Sequence, residues 1–321
     1  MQNKKLLFLC LDSFDLYKVF RNGLEKYSDY EITTILYKDY KYKNLKERII
    51  NFLSKTFLKK NLKKEWQNKA YFENIDPTLQ FDCALTLCPD VFALDTLQHV
   101  KNISKKSIVY YWDGFDHFPT YKKSIGFFDK SFTFDPEDAK KYNLNFLPNF
   151  YFAEDRNENP EMDLFFLSSF DNRYPLIEQI VLTLEKQNKH LKIKILQLPR
   201  NNKISIPTPI SNSIEFINEP ISFAETTAFM KNTKIVLDIQ KDIQHGLTFR
   251  VFEAMGLGKK LITTNPDIVH YDFYNPNNIF IWTKDTSSIP ESFLNTPYEE
   301  LPEKIYQKYS QKNWVKTILD L

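Results

Sequence analysis

No apolar run in this chain of 321 residues approaches ~20 residues, the span a helix needs to cross a bilayer, so no transmembrane helix is expected. The amino terminus leads directly into a short apolar strand without a signal-peptide cleavage pattern, and a cytoplasmic protein is expected. Cysteine is scarce. Cys10, Cys83 and Cys88 are an odd set, each within or beside an apolar segment, which suits small buried hydrophobes better than disulfides. Around Cys83 and Cys88 no Cys–His cluster completes a zinc site. Charge is nearly balanced, with 43 Lys and Arg against 41 Asp and Glu, and a net of +2 does not imply nucleic acid. Tandem repeats, a P-loop and nucleic-acid signatures are also missing.

The chain is longer than one core usually grows, and two domains of roughly 150 residues each are the natural division. Aromatic residues make up 16% of the chain, enough for large cores. Short apolar runs at 5–11, 31–37, 81–87, 107–112 and 130–134 read as strands, alternating with helical patterns at 16–26 and 91–100. That alternation predicts an α/β domain with parallel strands over 1–152. The polar stretch 153–160 reads as a linker. A second domain, 161–321, repeats the pattern, with strands at 163–167, 192–198, 214–217, 235–239, 260–264 and 279–282. Helices are expected at 175–187 and 222–231, and the segment 298–321 reads as helical.

Residues 38–66 break this alternation with nine lysines and Arg48 against Asp39, Glu47 and Glu65. Apolar residues from Leu45 to Leu62 recur at roughly helical spacing, so a basic amphipathic helix is expected over 43–66. Such a helix either meets an anionic membrane surface or packs on its own domain and solvates its lysines.

Candidate chemistry lies at strand ends. Asp113, Asp116 and His117 follow the strand at 107–112, and any one of them suits a general base; the two carboxylates serve equally well as turn formers. Asp12 and Asp15, after the first strand, are further acids or helix caps. In the second domain Ser168, Ser169 and Arg173 occupy the first strand-to-helix turn.

The richest stretch runs from His245 to Asn265. An apolar strand enters a polar turn, a helix opens near Gly246, Leu247 and Thr248, and Gly258 suits its left-handed stop. Unpaired N–H groups at a helix start favour an anion. Arg250 and Glu253, three residues apart, share a helix face. They suit a diphosphate and a ribose, or form an ordinary surface pair.

This stretch, GLTFRVFEAMGLGKKLITTN, followed by YDFYNPNN from Tyr271, resembles the nucleotide-sugar half of GT-B glycosyltransferases, especially bacterial enzymes of lipopolysaccharide and capsule assembly. Many retaining members carry two glutamates eight positions apart here. Glu253 matches the second, while position 245 is His, which is similar to the donor signature of inverting enzymes that use UDP-sugars. Residues 134–139 with Leu147 and Pro148 look like the end of a GT-B amino-terminal domain. The resemblance implies two Rossmann-like domains with parallel sheets facing a central cleft. It also implies sugar transfer from a nucleotide-sugar, which is a substrate, so that no cofactor is expected, to a saccharide or lipid-linked acceptor. The donor residues implied are Ser168, Ser169, Arg173, His245, Gly246, Leu247, Thr248, Arg250 and Glu253, and carboxyl-terminal helices that cross back to the first domain are common in the family. Carboxylates two apart, as in metal-dependent transferases, do not occur at Asp113 and Asp116. With no metal implied, Arg250 or Lys259 and the helix N–H groups are expected to carry the leaving group's charge. Rival readings are a sugar-nucleotide epimerase of the same fold and a non-catalytic binding protein.

Overall fold

Strands as uniformly apolar as Leu6–Leu9 need cover on both faces, and the chain provides it twice. The structure, a computed structural model, describes residues 4–197, 207–241 and 244–321. The last residue of the strand expected at 192–198 and residues 242 and 243 of the polar turn after the strand at 235–239 lie outside the described residues. The chain forms two units, 1–134 with 138–146 and Leu321, and 135–137 with 147–320.

In the first unit β1 (Lys4–Cys10), β2 (Tyr30–Leu36), β3 (Cys83–Leu87), β4 (Ser107–Tyr111), β5 (Lys130–Thr133) and β6 (Asn145–Phe146) form a parallel sheet in the order β2-β1-β3-β4-β5-β6. Leu7, Leu9, Ala84, Val109 and Tyr111 point to one face, into a cluster with Leu97, Val100 and Phe115.

The second unit holds β7 (Met162–Ser169), β8 (Leu191–Leu196), β9 (Ile214–Ile217), β10 (Thr233–Asp238), β11 (Lys260–Thr263) and β12 (Ile279–Ile281). Their order is β12-β11-β10-β7-β8-β9, again all parallel. Side-chain alternation splits its core in two: Leu164, Phe166, Ile235 and Leu237 face one layer of helices, while Phe165, Val236 and Leu261 face the other. Chain order reverses between β7 and β10, which marks the switch point of a doubly wound sheet.

Residues 153–160 are no free linker but part of the second unit. Three of their polar side chains bind to it: Asp155 pairs with Lys231 at 2.8 Å, Arg156 with Glu300 at 2.5 Å, and Asn157 Nδ2 donates to Asn232. Just before them Tyr151 bridges to Ser310, at the start of the helix Gln311–Leu319, and Phe150 packs on Trp314, all within the same unit.

The basic helix expected over 43–66 is likewise two helices, Leu45–Phe57 and Leu62–Phe72. Ser54 O accepts from both Leu58 N and Lys60 N, and Lys59 takes φ +51°, which ends the first helix. Asn44 caps its start by accepting from Glu47 N.

Candidate functional site

The carboxyl ends of β7 and β10 are cross-linked by two arginines. Arg250, on the helix Phe249–Gly256 that follows β10, donates from Nη2 to Leu167 O at 2.7 Å and lies 3.8 Å from Asp238 Oδ1. Arg173 donates to Ile239 O at 2.6 Å, but its fork is clamped by Asp171, with Nη2 to Oδ2 at 2.7 Å. Its charge is therefore compensated, whereas the Arg250 guanidinium meets a carboxylate only at longer range. Asp238 is the buried hub, accepting from Thr248 Oγ1 at 2.8 Å and Thr263 Oγ1 at 3.0 Å. In the sequence Asp238 reads as one more residue of an apolar strand, and a carboxylate closing such a strand is the available signal.

The helix itself follows from its sequence. Val251, Phe252, Ala254 and Met255 are buried against the sheet, and Gly258 takes φ +62° just beyond the end, as expected for a left-handed stop. Glu253 is no surface partner of Arg250. It is 3% exposed, its Oε1 accepts from Thr227 Oγ1 at 3.3 Å, and burial pushes its pKa up to about 8, against smaller opposing effects of Thr227 and Arg250. At neutral pH this carboxyl holds a proton.

The turn before the helix departs from expectation. The N–H groups of His245 and Gly246 do not await an external anion, because both donate to Asp135 Oδ2 at 2.9 Å. The Asp135 carboxylate sits where the sequence suggested a phosphate. Leu247 is a core side chain, and only its backbone carries polar chemistry, accepting from Asn149 Nδ2 at 3.0 Å. Thr248 gives its hydroxyl to Asp238 rather than to the helix start. The His245 imidazole is exposed, with Nδ1 3.7 Å from Asp267.

Ser168 and Ser169 end β7 half-buried, and Ser168 Oγ donates to Ser169 O at 3.2 Å. Lys259 is misplaced for the charge-bearing role expected of it. It precedes β11, at the amino ends of the strands, where its Nζ donates to Asn157 O at 3.1 Å. Ligands of open α/β sheets gather at the opposite, carboxyl ends.

In the first unit the three candidate bases have different neighbours. Asp113, half-buried after β4, acts electrostatically on Cys88 and Tyr121 and helps burial raise both. Asp116 is exposed, 3.8 Å from Lys141. His117 is exposed too, its ring edge-on to Phe118 at 4.5 Å. Asp12 accepts from Asp15 N at 3.1 Å, so it shapes the turn before the helix Leu16–Tyr27, and Asp15 pairs with Lys18 at 2.8 Å.

No family model and no curated protein matches the sequence. Among solved structures the chain is similar to Arabidopsis thaliana UGT89C1 complexed with UDP-L-rhamnose, at 9% identity and a TM-score of 0.54, over 100% of this chain and 99% of that one. It is also similar to the S. aureus MnaA-UDP co-structure, at 11% identity and a TM-score of 0.51, over 98% of this chain and 95% of that one. At such identities the likeness shows the fold, two Rossmann-like domains of the GT-B kind, as the sequence led one to expect.

Proposed function

We propose that the protein is a glycosyltransferase that moves a sugar from a nucleotide-sugar, a UDP-sugar by preference, to a saccharide or lipid-linked acceptor of bacterial surface polysaccharide. The observation that carries this reading is the presence of Arg250 and a buried Glu253 on the one helix that opens at the switch point of the second unit. Arg250 suits the leaving diphosphate, whose negative charge grows as the bond to the sugar breaks. Glu253 suits the ribose: two hydroxyls donating to it stabilise the carboxylate, so binding expels the proton that burial retains. The two solved structures named above carry UDP or a UDP-sugar, which favours a uridine donor. The acceptor class rests on the likeness of residues 246–278 to lipopolysaccharide and capsule enzymes.

For the acceptor we assign the base to Asp113. Of the three candidates it alone is half-buried at a strand end, while Asp116 and His117 are exposed. It takes the proton of the acceptor hydroxyl as that oxygen bonds to the anomeric carbon and the nucleoside diphosphate departs. A thermal-shift screen against UDP-, GDP-, CMP- and ADP-sugars tests the donor, and an upward shift with UDP-sugars is expected. No shift with any of the four withdraws the assignment. Asp113→Asn then lowers transfer by about 10²–10⁴, with donor binding intact. Interconversion of the donor sugar without an acceptor instead identifies an epimerase.

A further inference from the structure

We infer that the helix Leu45–Phe57 docks the protein on an anionic lipid bilayer by inserting an apolar face among the headgroups. The helix is inside out. Leu45, Ile49, Ile50, Phe52, Leu53 and Phe57 share one arc of it, and each is between 45 and 76% exposed. The opposite, polar face is turned inward: Asn51 is 2% exposed and Ser54 5%. That polar face is fully employed. Asn51 donates to Tyr42 OH at 2.7 Å and accepts from Lys63 N at 3.0 Å, Ser54 Oγ donates to Lys60 O at 2.9 Å, and Glu47 accepts from Tyr40 OH and Lys43 N. The orientation is thus held by specific hydrogen bonds, and rolling the apolar arc inward would break them.

An apolar arc of this size left in water needs a partner. The surrounding charge says which. Residues 38–64 carry nine Lys and Arg48 against Asp39 and Glu47, a local charge of +8 in a chain whose net charge is +2. Lys46, Arg48, Lys55 and Lys59 are exposed along and beyond the arc. A second copy of the chain, meeting this face with its own, would set these cations against their counterparts. Anionic headgroups complement them, and the hydrocarbon just beneath accepts Phe52 and Phe57. Among the described residues no helix is long and apolar enough to cross a membrane, so this contact lies on the surface. The inference stands apart from the sugar-transfer reading, because vesicle binding is measured without any nucleotide.

Cosedimentation of the full chain with vesicles of phosphatidylcholine alone, or of phosphatidylcholine with phosphatidylglycerol, tests it. Binding is expected to be at least about tenfold stronger to the anionic vesicles. High salt should weaken it without abolishing it, since salt screens the lysines but not the apolar contact. Phe52→Ser with Phe57→Ser should remove the salt-resistant part, and Lys46→Glu with Lys55→Glu and Lys59→Glu should remove the preference for anionic lipid. All five side chains are exposed, so both variants should retain wild-type circular dichroism. Equal recovery with both vesicle types, recovery with neither, or a solution dimer that the double Phe variant dissolves would each overturn the inference.

Discussion

Asp135 accepts the amide of Gly246 at 2.9 Å across 111 residues of sequence, with the same carboxylate oxygen that accepts from His245 N. An internal carboxylate thereby fixes the turn that leads into the helix Phe249–Gly256.

Asp135→Ala leaves both donors unmade, and the amide of Gly246 is buried. A loss of roughly 1–3 kcal/mol for that donor is expected, because its desolvation is no longer repaid. Asp135→Asn keeps a carbonyl oxygen and should recover much of the loss. Urea unfolding of the two variants measures the difference, and equal midpoints for Asp135→Ala and wild type would refute the role.

Much of this unit was legible in the sequence, and the illegible parts share a cause. The strand before the turn, the helix and its stop at Gly258 are local patterns, set by apolar runs and one left-handed glycine. Asp135 was invisible because its partners lie more than a hundred residues away. The 45–57 stripe announced a helix, but periodicity states only that two faces differ, not which one turns inward; Asn51 and Ser54 settle that through tertiary hydrogen bonds. Lys259 looked available beside Gly258, yet only the sheet shows that it lies at the wrong ends of the strands.

The buried Glu253 makes stability depend on pH. Its folded pKa is about 8 against an ordinary 4.5. Below the lower value both states hold the proton. Between the two the unfolded chain releases it while the folded protein keeps it, so stability falls as pH rises and this loss is complete above about 8. The amount is on the order of a few kcal/mol. Glu253→Gln should flatten this part of the profile in unfolding experiments from pH 5 to 9, and a slope identical to wild type would contradict a buried, protonated carboxyl.

Gly256 marks a close approach. A Cβ there would stand 2.6 Å from Tyr151 Cβ and 2.8 Å from Ala153 O. In an open helix Gly→Ala gains up to about 1 kcal/mol, but here the clash should dominate, for a net loss of roughly 1–3 kcal/mol. Denaturant unfolding of Gly256→Ala reads the sign directly. A more stable variant would mean that residues 151–153 do not pack on this helix.

Binding of a nucleoside diphosphate to the second unit is the central claim, and titration calorimetry of UDP into wild type and Glu253→Gln tests it most directly. Replacing the carboxylate with an amide removes a charged acceptor for the ribose, worth roughly 1.5–3 kcal/mol, so affinity should fall about tenfold or more while circular dichroism stays unchanged. Wild-type binding should also release a proton near neutral pH, seen as a heat that varies with the ionisation enthalpy of the buffer. Equal affinity in the two proteins, or no binding of UDP by the wild type, contradicts the claim.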